Sequence, residues 1–100
     1  MVDYNIEFSK GVLFIRLYGI LNRFNEKDIE EQIYEIINEG GIRYLVINTE
    51  DVEIQEDVML FKNCNDLIKN NDGKMLICGS NIEEYDYIVD ELSAFKEFSS

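Results

Sequence analysis

The sequence predicts an α/β fold, a mixed sheet of four to five strands with three or more helices mainly on one face. Three observations predict it. Tyr44-Leu45-Val46-Ile47 and Met75-Leu76-Ile77-Cys78 are short runs, apolar at consecutive positions, as strands covered on both faces are. Helical periodicity separates and follows these runs, so the strands should be parallel and joined by right-handed crossovers. Ahead of them Tyr4, Ile6 and Phe8 alternate with Asn5 and Glu7, and the turn chemistry of Ser9-Lys10-Gly11 leads into Val12 to Tyr18, which predicts an antiparallel opening pair.

Element by element, only Arg16 interrupts the apolar run from Val12 to Tyr18, and Gly19 is expected to end that strand. Asn25, with Asp28 three residues on, predicts the N-cap of a first helix. Ile29, Ile33, Ile36 and Ile37 then recur at helical spacing with Glu30, Glu31, Glu35 and Glu39 on other faces, and Gly40-Gly41 offers the C-cap. The acidic segment Thr49 to Asp57 is expected to separate the strand Tyr44 to Ile47 from a second helix, in which Leu60, Cys64, Leu67 and Ile68 form the buried stripe. Asn70-Asn71-Asp72-Gly73 stops it. Ser80 with Glu83 reads as a capping box for a third helix bearing Ile82, Tyr85, Val89 and Leu92, and Phe95-Lys96-Glu97-Phe98 is the candidate for a last edge strand.

Composition narrows the function classes. With 100 residues, 46% apolar, six Gly and no Pro, the chain reads as one domain over 1–100, free of linkers and repeats. At 11.7 kDa folding can bury roughly 11,000 Å², enough for a core without staples. Nine Lys and Arg against 21 Asp and Glu give −12, which opposes binding to nucleic acid and to anionic lipid. The lack of His excludes His-based triads, His metal sites and imidazole switching. Cys64 and Cys78 form no C-x-x-C pair and lie in apolar stretches, as reduced core residues of a cytosolic protein do. No signal peptide is legible, and no apolar run approaches the roughly 20 residues of a membrane span. A cytoplasmic protein without direct membrane insertion is expected.

No phosphate-binding Gly-rich loop, nucleophile elbow or EF-hand loop occurs, so neither an enzyme nor a cofactor is expected. Glu50 to Asp57 holds five carboxylates in eight positions where a parallel strand ends, the edge that ligands favour in open α/β sheets. Its spacing matches no metal loop, and a solvated acidic loop favouring a helix N-terminus weighs more than a divalent-ion site or an acid/base pair. A phospho-accepting receiver domain would need an acidic pair where Gly19-Ile20-Leu21-Asn22 stands and a late Lys-Pro, and both are missing. The aromatics are spread through every element as packing residues; Phe24 and Tyr87 are those expected to be most exposed.

Taken together, the pattern resembles the STAS domain, shared by anti-sigma factor antagonists (anti-anti-sigma factors) and the cytoplasmic tails of sulphate transporters. The stretch from Gly11 to Gly19 is similar to that family's opening strand, and Gly19-Ile20-Leu21-Asn22 to its Gly-x-Leu-Asp turn. Ile42 to Asn48 is similar to its central strand and Asp72 to Gly79 to its later one. The resemblance implies a STAS-like fold and a non-catalytic module whose partner is a protein, an anti-sigma factor kinase or a related regulatory protein. The family's switch motif, Asp-Ser-Ser/Thr-Gly at the start of the second helix, falls on Glu56-Asp57-Val58-Met59. The serine phosphorylated in regulated members thus corresponds to Asp57, and the turn Asp to Asn22. The implied partner-binding loop is Asn22, Glu53, Gln55, Glu56, Asp57, Val58 and Met59.

Without a hydroxyl at position 57 the usual phosphorylation switch is lost. Asp57 either imitates phosphoserine imperfectly, with one charge against about −1.5 to −2, or simply complements the helix macrodipole. The resemblance also implies an alternative, an accessory subunit of a membrane transporter for lipids or anions. For both, the charge of −12 calls for a basic docking face on the partner.

Overall fold

The structure, a computed structural model, describes residues 1–79, 82 and 84–99. Period-2 alternation from Val2 to Ser9 forms β1, which pairs antiparallel with β2 (Val12–Leu21) across the Lys10-Gly11 turn. Both turn residues have positive φ, 51° and 83°, the conformation that lets a two-residue connection follow the twist of the strands. Helix α1 (Glu26–Gly40) then crosses to β3 (Tyr44–Ile54), α2 (Leu60–Asn70) to β4 (Lys74–Cys78), and a short β5 (Tyr87–Ile88) precedes α3 (Leu92–Ser99). The five strands lie in chain order, β1-β2-β3-β4-β5, and every pair after the first is parallel.

The sheet is covered on two sides, and β2 shows how. Leu13, Ile15, Leu17 and Leu21 face α1 and α2, where Ile29, Ile33 and Ile37 meet Leu60, Phe61, Cys64 and Ile68. Val12 and Phe14 face the other way and join Val46, Leu76, Cys78 and Ile88 under Ala94 of α3. Two helices therefore share one face while α3 takes the other, with Phe95 edge-on to Phe14 at a ring separation of 5.5 Å. The sheet also parts the cysteines. Cys64 lies in the α1–α2 core and Cys78 in the α3 core, both buried and free, so no intrachain bridge can join them.

The structure corrects several expectations. Gly19 does not end β2; it sits at φ 87° within the strand, where a Cβ would run into the Met1 carbonyl, and the strand continues to Leu21. The acidic segment is not a loop from Thr49 onward, because β3 runs to Ile54. Between Arg16↔Asn48 and Tyr18↔Asp51 the register shifts by one residue on the β3 side. This bulge reverses the inward parity, so Leu45 and Ile47 face the α1–α2 core before it and Val52 and Ile54 after it. Thr49 ties the irregularity down by donating its hydroxyl to the Cys78 carbonyl at 3.1 Å.

The third helix is also displaced. Tyr87–Ile88 is a strand on β4, and Phe95 to Phe98, expected as an edge strand, belongs to α3. The expected capping box at Ser80 and Glu83 lies outside the described residues. The cap of α3 comes from Asp90, whose Oδ1 accepts the Ser93 backbone N–H at 2.9 Å and the Ser93 hydroxyl at 2.8 Å. These bonds hold the Asp90 carboxyl below its ordinary pKa.

Candidate docking site

Two segments far apart in sequence meet where β2 and β3 end. Leu21 and Ile54 are register partners, and just beyond them the Gln55 N–H donates to the Leu21 carbonyl at 2.9 Å. Asn22 therefore starts beside Gln55. Its Oδ1 accepts the N–H groups of Phe24 and Asn25, each at 2.9 Å, and its own N–H donates to Asn25 Oδ1 at 2.9 Å. Asn25 Nδ2 reaches back to the Ile20 carbonyl. The two asparagines thus lace the turn closed, and the side chain of Asn25 does not cap α1 although the residue stands at the N-cap position. Phe24 on this turn is 84% exposed and Tyr87 44%, as expected, but Phe8 on β1, at 59%, is more exposed than Tyr87.

The other segment leads into α2. Asp57 is exposed and held at φ 66°, a left-handed conformation that Asp tolerates better than most side chains. Met59 stands at the N-cap of α2 and its side chain supplies no cap. Its backbone N–H instead donates to Glu26 Oε1 at 2.8 Å, across 33 positions. Glu26, the first residue of α1, is 5% exposed, so a buried carboxylate from one helix sits at the N-terminus of the next. One turn further along both helices, Asn63 Nδ2 donates to Glu30 Oε1 at 2.6 Å. Nothing local in the sequence marks Glu26, because an acidic residue in a first helical turn reads only as macrodipole compensation and its partner is remote.

The seven residues of the expected loop are not on one surface. Gln55, Asp57 and Val58 line a groove of about 340 Å³ with Ile54, Phe61 and Tyr85 on the α2 side. Glu56 and Met59 are exposed on the same segment, and Asn22 is half-buried beside it. Glu53 departs: it pairs with Ile20, on the face that α1 and α2 do not cover, and its Oε2 accepts Gln55 Nε2 at 2.7 Å.

The chemistry nearby is that of a built surface. Burial pushes the Cys64 thiol well above its ordinary pKa, with Glu30 and Glu26 adding to the effect, so the thiolate is disfavoured. Burial, and then the bond to Glu30, raise the Tyr34 phenol in the same way. Among the described residues no group of three or more Cys, Asp and Glu side chains is arranged to hold a metal ion, and no helix is long and apolar enough to cross a membrane.

No family model matches the sequence. Solved structures do match the fold. SpoIIAA, an anti-sigma factor antagonist, in its unphosphorylated form superposes with a TM-score of 0.81 at 16% identity, over 98% of this chain and 99% of that one. The phosphorylated form of SpoIIAA, a Bacillus cell fate determinant, gives 0.75 at 15% identity, over 96% and 99%. An anti-sigma factor antagonist from Mycobacterium paratuberculosis gives 0.82 at 11% identity, over 100% and 96%. The chain has the fold of the anti-sigma factor antagonists, the STAS architecture, from end to end.

Proposed function

We propose that the protein is a non-catalytic STAS-type interaction module, a regulator of the anti-sigma factor antagonist kind, that docks on a protein partner through the start of α2 and the Asn22 turn. Asp57 stands where regulated members carry the serine that a partner kinase phosphorylates. The observation that most supports this reading is the end-to-end superposition on SpoIIAA, a protein known in unphosphorylated and phosphorylated forms. The loop that would change between such forms carries here a fixed carboxylate at an exposed, left-handed position. A partner whose docking face is basic suits a chain of net charge −12.

Calorimetric titration against an anti-sigma factor kinase tests the reading. Val58→Glu and Met59→Glu should each weaken binding about tenfold or more, as substitutions at an interface centre do, whereas Phe8→Ser on the edge strand should leave it unchanged. Equal affinities for all of these variants would refute the proposed surface. The replacement of the serine by Asp57 favours a second reading, the accessory subunit of a membrane transporter. There the same surface would meet the transporter's ATPase, and the kinase would not bind at all.

A further inference from the structure

Helix α3 has eight residues and covers only part of its side of the sheet, over Val12, Phe14, Val46 and Leu76. The register shows what the rest of that side carries. Directly opposed residues on neighbouring strands share a face, so Asn5, Arg16 and Asn48 form one row across β1, β2 and β3. Glu91, just ahead of α3, closes this row: Arg16 donates to both of its carboxylate oxygens, from Nε at 2.8 Å and Nη2 at 2.7 Å, and Asn48 Nδ2 donates to it at 2.8 Å. Arg16 is also bonded to Asn5 and Glu7. Beyond this polar border the next row is Asp3, Tyr18 and Asp51, and after it Ile20 stands opposite Glu53.

That uncovered area has a definite chemistry. Tyr18 is 39% exposed and Ile20 42%, two large apolar side chains on a sheet face. Asp3, Asp51 and Glu53 frame them and are all exposed. Among the described residues no Lys or Arg forms an ion pair with any of the three, and Arg16, in the neighbouring row, is committed to Glu7 and Glu91. An apolar centre inside a rim of one charge sign is the anatomy of a protein interface.

We propose that this bare half of the sheet is a second docking face, separate from the groove at α2, and that it takes a protein segment presenting an apolar side chain between Lys or Arg residues. Charge selects that occupant. Nucleic acid and anionic lipid are repelled by the carboxylate rim, and a second copy of the chain would bring another −12. The face holds neither Asp57 nor Val58; of the expected loop it takes only Glu53, whose carboxylate accepts Gln55 Nε2, so Tyr18 and Ile20 are the residues that test it apart from the α2 groove.

The test is a 1H–15N titration of the full chain with a synthetic Lys-Ile-Lys-Leu-Lys peptide, using the peptide with Glu for Lys as control. The basic peptide should shift the amides of Tyr18, Ile20, Asp51 and Glu53, and bind more weakly as salt is added. Asp3→Asn/Asp51→Asn/Glu53→Gln should weaken it about tenfold, the sum of a few exposed charge contacts. Tyr18→Ser/Ile20→Ser should weaken it as well, and Glu35→Gln, an exposed carboxylate of α1 on the opposite side of the sheet, should change nothing. Thermal melts of the variants check that each is folded. Absence of shifts, shifts confined to the start of α2, or self-association through these residues would each overturn the proposal. So would full retention of binding by the Tyr18/Ile20 variant, which would reduce the effect to diffuse charge attraction.

Discussion

At the scale of single residues, Asp57 and Glu26 determine the form of the α2 entrance by different means. Asp57 holds φ 66° because a short polar side chain accepts the left-handed region that branched ones resist. Asp57→Val should therefore destabilise the fold by about 1–2 kcal/mol, and Asp57→Asn by almost nothing, in urea unfolding. Glu26 acts from the other helix. Removing its carboxylate in Glu26→Ala leaves the Met59 N–H without its acceptor and should cost about 1–3 kcal/mol, while Glu26→Gln, which keeps an oxygen there, should cost clearly less. If the two Glu26 variants unfold at the same urea concentration, the bond contributes nothing. Position 57 stands out in the sequence only because the family's switch motif aligns on Glu56 to Met59. Glu26 was hidden because no local pattern reports a contact 33 residues away.

Among the elements, legibility followed periodicity. α1 and α2 were readable from their apolar stripes, and the parallel pairing of β3 with β4 from two short runs buried on both faces. β3 runs past the end that its apolar run predicts, because its bulge puts Val52 and Ile54 out of phase with Leu45 and Ile47 and alternation across Thr49 and Glu50 breaks down. Ile82, Tyr85, Val89 and Leu92 fit a helical spacing that the chain does not use. Pairing of Tyr87–Ile88 with β4 outweighs it, and Ala94, Phe95 and Phe98 supply the helical face instead.

The docking of α3 gives a pH prediction. Hydrogen bonding from Arg16, opposed by burial and assisted by Asn48, holds the Glu91 carboxyl below the usual carboxylate range. A depressed folded-state pKa means that the unfolded chain binds the proton more readily. The contribution is therefore complete above the ordinary carboxylate pKa and is lost as pH falls through the folded one. Glu91→Gln should cost about 1–2 kcal/mol at pH 7, and its stability should converge on that of the natural protein below about pH 4. A difference that stays constant from pH 7 to pH 3 would show that Glu91 acts through packing alone.

For the whole molecule, the resemblance drawn from scattered weak motifs and the fold agree, since sheet order and length are fixed by the spacing of buried runs rather than by any one residue. The surface was less legible. Gln55, Asp57 and Val58 do meet around one groove, yet Glu53 faces the opposite side of the sheet, a division that follows from strand parity and the bulge. The charge of −12 favours basic partners at the proposed docking surfaces, so association should slow as ionic strength rises from about 0.05 to 0.5 M, and a salt-independent on-rate would count against that.

The central claim is that a fixed carboxylate at position 57 replaces a switchable hydroxyl. Parallel titration of the natural protein and Asp57→Ser against an anti-sigma factor kinase, the proposed partner, with phosphate incorporation followed in both, tests it most directly. The account predicts weak binding and no phosphorylation at the loop for the natural protein. For the serine variant it predicts phosphate acceptance and tighter binding by about 1–3 kcal/mol, a modest gain because the carboxylate is exposed and screened. If the natural protein binds as tightly as the serine variant, Asp57 is a helix-end charge and nothing more.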